Sequence, residues 1–307
     1  MRENERRNDR TSSASRFLSV CFLLAFFLAA GSFLAAVASP DEKDSSFPAN
    51  FRDIPGITQE EIQALEKVIA KRKTFTYGVM EGSESFYQDD GSLDGYTVTL
   101  IELMSKLFGV SFEIKICEWN VLRQGIRDRS IDFSGDFDPD NFNAQRLMVS
   151  RAVRERSVKF ISRAADLPLS EIASQAPLRV AFLRDSTSGK LAVPHLQKQY
   201  GDKLILVPLD DRSEVADMLR EKKLDMFIAD DAWMGIFLGQ TDFVIDTFHP
   251  LLYKYVSVLT GNPELAPFIS VLNRLLTQKS RQYLYDLHRE GRIRFLRKAF
   301  VDSLNAV

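Results

Sequence analysis

The sequence predicts a two-lobed α/β protein. Short apolar strands alternate with amphipathic helices, the alternation lapses once and restarts, and a basic, then apolar leader precedes it all. In the leader, five basic residues (Arg2, Arg6, Arg7, Arg10, Arg16) outnumber three acidic ones (Glu3, Glu5, Asp9), which favours a cytoplasmic start. Residues 17–38 carry no charge and no proline and end in Ala36-Val37-Ala38, the small-x-small pattern a signal peptidase accepts. Cleavage after Ala38, giving a mature chain that starts at Ser39, is the reading adopted. An uncleaved anchor is the alternative, because about 20 apolar residues also span a bilayer. Val20 ahead of Cys21 is too large for a lipoprotein site, so that reading is set aside.

Removing residues 1–38 takes away five basic and three acidic residues and moves the formal charge from −2 to −4, a balance that does not suggest a nucleic-acid partner. Cys117 is then the one thiol, which excludes an intramolecular disulfide. Stability must come from a packed core, and 45% hydrophobic residues permit one.

Residues 39–57 are rich in Ser, Pro and Asp and read as a tether. Thr58-Gln59-Glu60-Glu61 is a capping box, followed by the helical apolar face Ile62, Leu65, Val68 and Ile69. Residues 74–80 read as a strand. Residues 96–108 read as a helix stopped by Gly109, 111–116 as a strand, 119–127 as a short helix, and 131–134 and 158–161 as strands. Residues 164–177 lack a clean period, which suggests a lobe boundary. Beyond them the rhythm restarts, with strands at 178–183, 203–207 and 224–228 and helices at 189–200 and 213–221. From Pro263 the chain reads as helical, interrupted at Gly291, with Leu265, Ile269, Leu272 and Leu276 on one face. This divides the chain into a first lobe over 58–163, a second over 176–245, and a return to the first over 250–307.

The inventory for catalysis is thin. His195, His249 and His288 are scattered without metal-ligand spacing and read as surface or helix-end residues. There is no GxSxG, P-loop or GxGxxG, and Cys117 in a strand-like run reads as core. Asp136-x-Asp138-x-Asp140 has calcium-loop spacing, but Asn141 stands where the loop needs Gly and Leu147 where it needs Glu. No cofactor and no metal are expected.

Gly82-Ser83-Glu84-Ser85-Phe86-Tyr87 and Asp90-Gly91-Ser92-Leu93-Asp94-Gly95-Tyr96 resemble the opening of the family 3 bacterial solute-binding proteins. The likeness continues through Leu107-Phe108-Gly109-Val110, Trp119, Ile131-Asp132-Phe133-Ser134-Gly135, Glu155-Arg156 and Leu224-Asp225-Met226-Phe227-Ile228-Ala229-Asp230. Near the end, Gly261-Asn262-Pro263-Glu264-Leu265-Ala266-Pro267 and Tyr283-Leu284-Tyr285-Asp286-Leu287 resemble the closing helices of the version used as sensor modules of signalling proteins. The resemblance implies the type II periplasmic-binding-protein fold, α/β lobes with parallel-rich sheets flanked by helices and a ligand between them. It implies a monomer whose partners are a small polar ligand, such as an amino acid or a related cation, and a membrane permease or signalling protein. Open parallel sheets place ligands at the carboxyl ends of their strands, which leads to the same cleft.

In amino-acid-binding members an aromatic stacks on the ligand, an Arg grips its carboxylate and a second-lobe Asp takes its ammonium. Here Asp230 matches that Asp, although a helix N-cap would use the same residue and Asp231 fits either role. Phe86 and Tyr87 are candidates for the aromatic wall, or pack beneath the loop; Trp119 fits better as core. Asp185-Ser186-Thr187-Ser188-Gly189 runs from strand to helix, so Ser186, Thr187 and Ser188 would receive a carboxylate or simply cap the helix. The family run Thr-x-Thr-x-Glu-Arg is broken: Asp138 stands at its first Thr and Asn143 at its Arg. Arg146 is the candidate replacement, unless it is a surface residue and the ligand has changed. Import and sensing both remain open, as do an enzyme resembling cyclohexadienyl dehydratase and a scaffold that has lost its ligand.

Overall fold

The computed structural model describes residues 47–137 and 147–305. Thr58 and Glu61 form the expected reciprocal cap on α1 (Gln59–Lys71). There follow β1 (Thr74–Val79), a hairpin of β2 (Phe86–Tyr87) and β3 (Leu93–Asp94), α2 (Tyr96–Phe108), β4 (Ser111–Ile116), α3 (Trp119–Asp128) and β5 (Phe133–Ser134). Gly109 ends α2 in the left-handed region, φ 63°, as a glycine stop should. Next come β6 (Met148–Arg163), α4 (Leu169–Gln175), β7 (Leu178–Leu183), α5 (Thr187–Tyr200), β8 (Leu204–Leu209), α6 (Val215–Arg220) and β9 (Met226–Asp230). The chain ends with β10 (Phe243–Thr247), β11 (Tyr253–Thr260), α7 (Ala266–Leu275) and α8 (Gln278–Asn305).

Among the described residues, nine strands join in one mixed sheet, ordered β4-β1-β5-β11-β6-β9-β7-β8 with β10 also on β6. β1 runs parallel to β4 and β5, and β7 runs parallel to β8 and β9. The 16-residue β6 belongs to both lobes: residues 148–157 pair with β11, and residues 158–163 with β9 and β10. This is the two-lobed type II periplasmic-binding-protein fold.

The first lobe closes over an aromatic cluster in which Phe268 of α7 meets Phe75 and Phe108 edge-on, each at 4.9 Å between centroids. The second lobe packs Val158, Val180, Met226 and Ile228 against Ala192 and Leu196 of α5.

Several elements differ from expectation; β10 and β11, for instance, lie where no strand was expected. Residues 158–161 are only the second half of a long strand, whose first half carries Arg151 and the run Arg154-Glu155-Arg156-Ser157 and so lacks an apolar signature. Residues 164–177 contain α4. The closing helix breaks at Leu276 and Thr277, not at Gly291, which lies within α8. Gly291 is there for clearance: a Cβ would stand 2.7 Å from the backbone nitrogen of Tyr96 at the start of α2.

Gly291→Ala should therefore lower stability by about 1–3 kcal/mol. Helix propensity alone predicts a gain of roughly 0.8–1 kcal/mol. Denaturant melts give the sign, and a more stable variant would refute the close α8–α2 contact.

Candidate functional site

The strands deliver charge to the point where the lobes meet. On β6, period two puts Arg154 and Arg156 on one face, and the antiparallel register sets Lys254 of β11 directly beside Arg156. Two adjacent cations in a buried place repel unless carboxylates separate them. Three do so. Asp230, the last residue of β9, lies 2.6 Å from Lys254 Nζ and 3.5 Å from Arg156 Nη1. Asp136, just beyond β5, accepts from Arg156 Nη1 at 2.7 Å and from the Met80 N–H at 3.2 Å. Glu84, in the loop after β1, accepts from Arg156 Nη2 at 2.6 Å and from Arg154. All six charged side chains are nearly inaccessible to solvent.

Asp230 has no solvent exposure, and its other oxygen accepts the Ala232 N–H at 3.1 Å. Burial alone would raise its pKa, but Lys254 and Arg156 outweigh burial and bring it down to about 2. Arg156 is pushed the opposite way by burial, yet Asp230 and Asp136 hold it above its ordinary value. Arg154 is held below its usual range by burial and by the neighbouring Arg156. At the edge, His288 Nε2 sits 3.5 Å from Glu84 and 3.3 Å from Arg154. Burial, then Arg154, lowers its pKa to about 4.

An aromatic layer packs between the lobes beside this network. Trp119 stacks on Phe137 at 4.8 Å and meets Trp233 of the second lobe edge-on at 5.3 Å, while its indole N–H donates to the Arg184 carbonyl at 2.8 Å. Ser83 N–H donates to the Ala232 carbonyl at 2.8 Å, and Arg123 pairs with Asp185 across the same seam. The cavity touching Arg154, Arg156, Glu84 and Asp136 measures about 20 Å³. That is room for one water and no larger solute.

Of the residues singled out in sequence, Asp230 sits at the centre of the network, but with its charge already matched. Phe86 is buried with its ring 5.2 Å from Phe295 of α8, and Tyr87 is exposed; both line a shallow cavity of about 360 Å³ with Gly235 and Lys298, without Arg156 or Asp230. Ser186 caps α5, accepting from the Gly189 N–H at 3.1 Å; Thr187 begins that helix and Ser188 is buried in its first turn. Asp231 accepts from the Ser157 hydroxyl at 2.9 Å. Asp138 and Arg146 lie outside the described residues. Trp119 is core, and burial pushes the Cys117 thiol up to about 11. His288 is a correction: it is not a surface or helix-end residue but part of the charged centre.

Arg154, Arg156, Lys254 and Glu84 were missed as site residues. The available signal was Lys254 in the inward register with Val256 and Val258, where a core residue belongs.

The class of structure is set by the fold, which is that of the type II periplasmic binding proteins. No protein-family model and no curated protein matches the chain. Among solved structures, the periplasmic domain of BvgS from Bordetella pertussis is similar at a TM-score of 0.62 and 18% identity, covering 78% of this chain. The chain spans 46% of that domain's length. A single BvgS periplasmic VFT2 domain aligns over 99% of its length and 77% of this chain, at TM-score 0.60 and 18% identity. An amino acid ABC transporter substrate-binding protein from Streptococcus pneumoniae, bound to L-arginine, aligns over 98% of its length and 75% of this chain, at TM-score 0.59 and 15% identity. At these identities the likeness is one of fold.

Removing either partner of the Lys254–Asp230 pair strands a buried charge or polar group. Lys254→Met and Asp230→Asn should each cost about 3–5 kcal/mol of stability, more than loss of a helix cap would explain. The double variant Lys254→Met/Asp230→Asn should lose clearly less than the sum; additive losses in denaturant melts would show that the pair does not form.

His288 gives a pH signature. Its folded pKa of about 4 lies below the ordinary 6.5, so the unfolded chain takes up the proton first on acidification. The stabilisation is full above about 6.5 and is lost as pH falls through about 4. His288→Gln should flatten the decline of the melting temperature across that window; an unchanged slope would count against the buried neutral imidazole.

Proposed function

We propose that this chain is an extracytoplasmic two-lobed binding module that senses and signals to a membrane partner, rather than a carrier that loads solute for a permease. One observation carries this: Lys254 Nζ lies 2.6 Å from Asp230, the residue matching the family carboxylate that takes a ligand's ammonium. The chain's own lysine stands in for the solute. A free amino acid would have to exchange its ammonium for that of Lys254, gaining no new charge pair and leaving a buried lysine without its counter-ion. Such an exchange makes a poor scavenger. It suits a module whose resting state is closed, in which a partner or solute acts by shifting the balance between closed and open.

In this reading residues 1–38 carry the module across the membrane or hold it there; no described helix is long and apolar enough to cross a membrane. If a small polar solute enters, it displaces Lys254 from Asp230, and Ser186, Thr187 and Ser188 offer donors from the second lobe, whereas Phe86 and Tyr87 line a separate cavity beside Phe295. Asp138 and Arg146 are then the candidates for its remaining contacts. The enzyme alternative has less support, since Glu84, Asp136 and Asp230 are each held by a cation and unavailable as acids or bases.

The reading is tested on the full chain by calorimetry with a panel of free amino acids, L-arginine included. No binding tighter than millimolar is expected. Lys254→Ala vacates the ammonium position, so ethylammonium should raise the melting temperature of that variant and leave the unmodified protein unmoved. Micromolar binding of a free amino acid to the unmodified protein would overturn the reading in favour of capture.

A further inference from the structure

Away from the cleft, α8 borders a groove of about 700 Å³, within the range of small-molecule sites. Arg281, Tyr285, Arg289 and Arg292 recur at helical spacing and line one wall. Lys159 of β6, Tyr253 and Tyr255 line the other. Among the described residues, Arg281 and Arg292 have no carboxylate within ion-pair distance. Arg289 has only Asp286 on its own helix at 3.5 Å, and Lys159 donates to the Thr247 hydroxyl at 2.6 Å. The groove also contains Glu155 and Asp231, and Asp231 accepts from both the N–H and the hydroxyl of Ser157. Arg154, at the inner end, is already paired with Glu84. The outer walls thus present unmatched cations and tyrosine hydroxyls, in contrast with the ion pairs around Asp230.

Guanidinium groups along one wall, with a lysine ammonium on the other, suit multiply charged carboxylate or phosphate anions, which guanidiniums bind in bidentate fashion, with tyrosine hydroxyls as further donors. A single chloride or acetate would satisfy one cation and leave the rest. We propose that this groove is a second binding site, separate from the interlobe cleft, for a small polyanion bearing two or more carboxylate or phosphate groups. Because α8 packs with the first lobe and Lys159 belongs to the part of β6 in the second, the anion bridges the lobes.

The test is calorimetry on the full chain with citrate, pyrophosphate and acetate at matched ionic strength. Citrate or pyrophosphate should bind at least tenfold more tightly than acetate. Binding should weaken at least tenfold in Arg281→Gln/Arg292→Gln and stay unchanged in Arg297→Gln, an α8 arginine outside the groove. Preference for citrate assigns a polycarboxylate, preference for pyrophosphate a phosphorylated ligand, and either supports the site. Failure of both to bind, or an equal loss in Arg297→Gln, overturns it. Neither result bears on the cleft, whose test uses Lys254 and free amino acids.

Discussion

Arg156 presents its guanidinium to carboxylates from three distant parts of the chain: Glu84 after the first strand, Asp136 after the fifth and Asp230 at the end of the ninth. Two of these belong to the first lobe and one to the second, and the arginine itself rides on the strand the lobes share. Removing such a charge from water is costly, and attraction to one carboxylate would barely offset it. Three partners, with backbone N–H groups from Met80 and Ala232 on two of them, make the burial tolerable. Once made, the cluster resists piecemeal opening. Separating the lobes pulls Asp230 from Arg156 and exposes the Trp119–Phe137–Trp233 stack, so electrostatic and apolar costs fall together.

Charge arithmetic explains why Lys254 belongs in this cluster. Among the groups in direct contact, Arg154 and Arg156 alone would leave three carboxylates with an excess of negative charge. Lys254 balances it, and the Trp233 ring face 5.0 Å from its Nζ shields it further. In the proposed reading, a solute ammonium would do the same for Asp230. In that reading the difference is covalent: an ammonium on the chain costs no translational entropy on each closure, so closure would require no ligand.

Much of the fold was legible because it rests on periodicity. The capping box, the Gly109 stop and the β-α rhythm of both lobes follow from local pattern, and the structure reproduces them. β6 and β11 were largely illegible for the reason they matter: their inward positions carry Arg154, Arg156 and Lys254, which a hydrophobicity pattern scores as outward. Asp230 could be found because it follows a strand of apolar residues at a strand end. Its partners could not, because Lys254 lies 24 residues away along the chain and Arg156 74, and only strand register brings them together. Gly291 shows the opposite error, a residue that looks like a helix stop yet serves a close packing contact.

The groove along α8 and the cleft are not electrically independent, since Arg154 borders both and Glu84 is shared between Arg154 and Arg156. A polyanion in the groove attracts Arg154 outward and competes with Glu84 for it. The same polyanion draws Lys159 of the second lobe towards α8 of the first. These effects oppose one another: the first loosens the ion-pair cluster, and the second ties the lobes from outside. A ligand shifts a two-state equilibrium only by its difference in affinity for the two states. Arg154 has a partner already and sits at the buried end, whereas Arg281 and Arg292 are exposed cations without a carboxylate among the described residues. The anion therefore gains most from the outer residues, and its net effect is to favour the spacing of α8 and β6 found in the closed form.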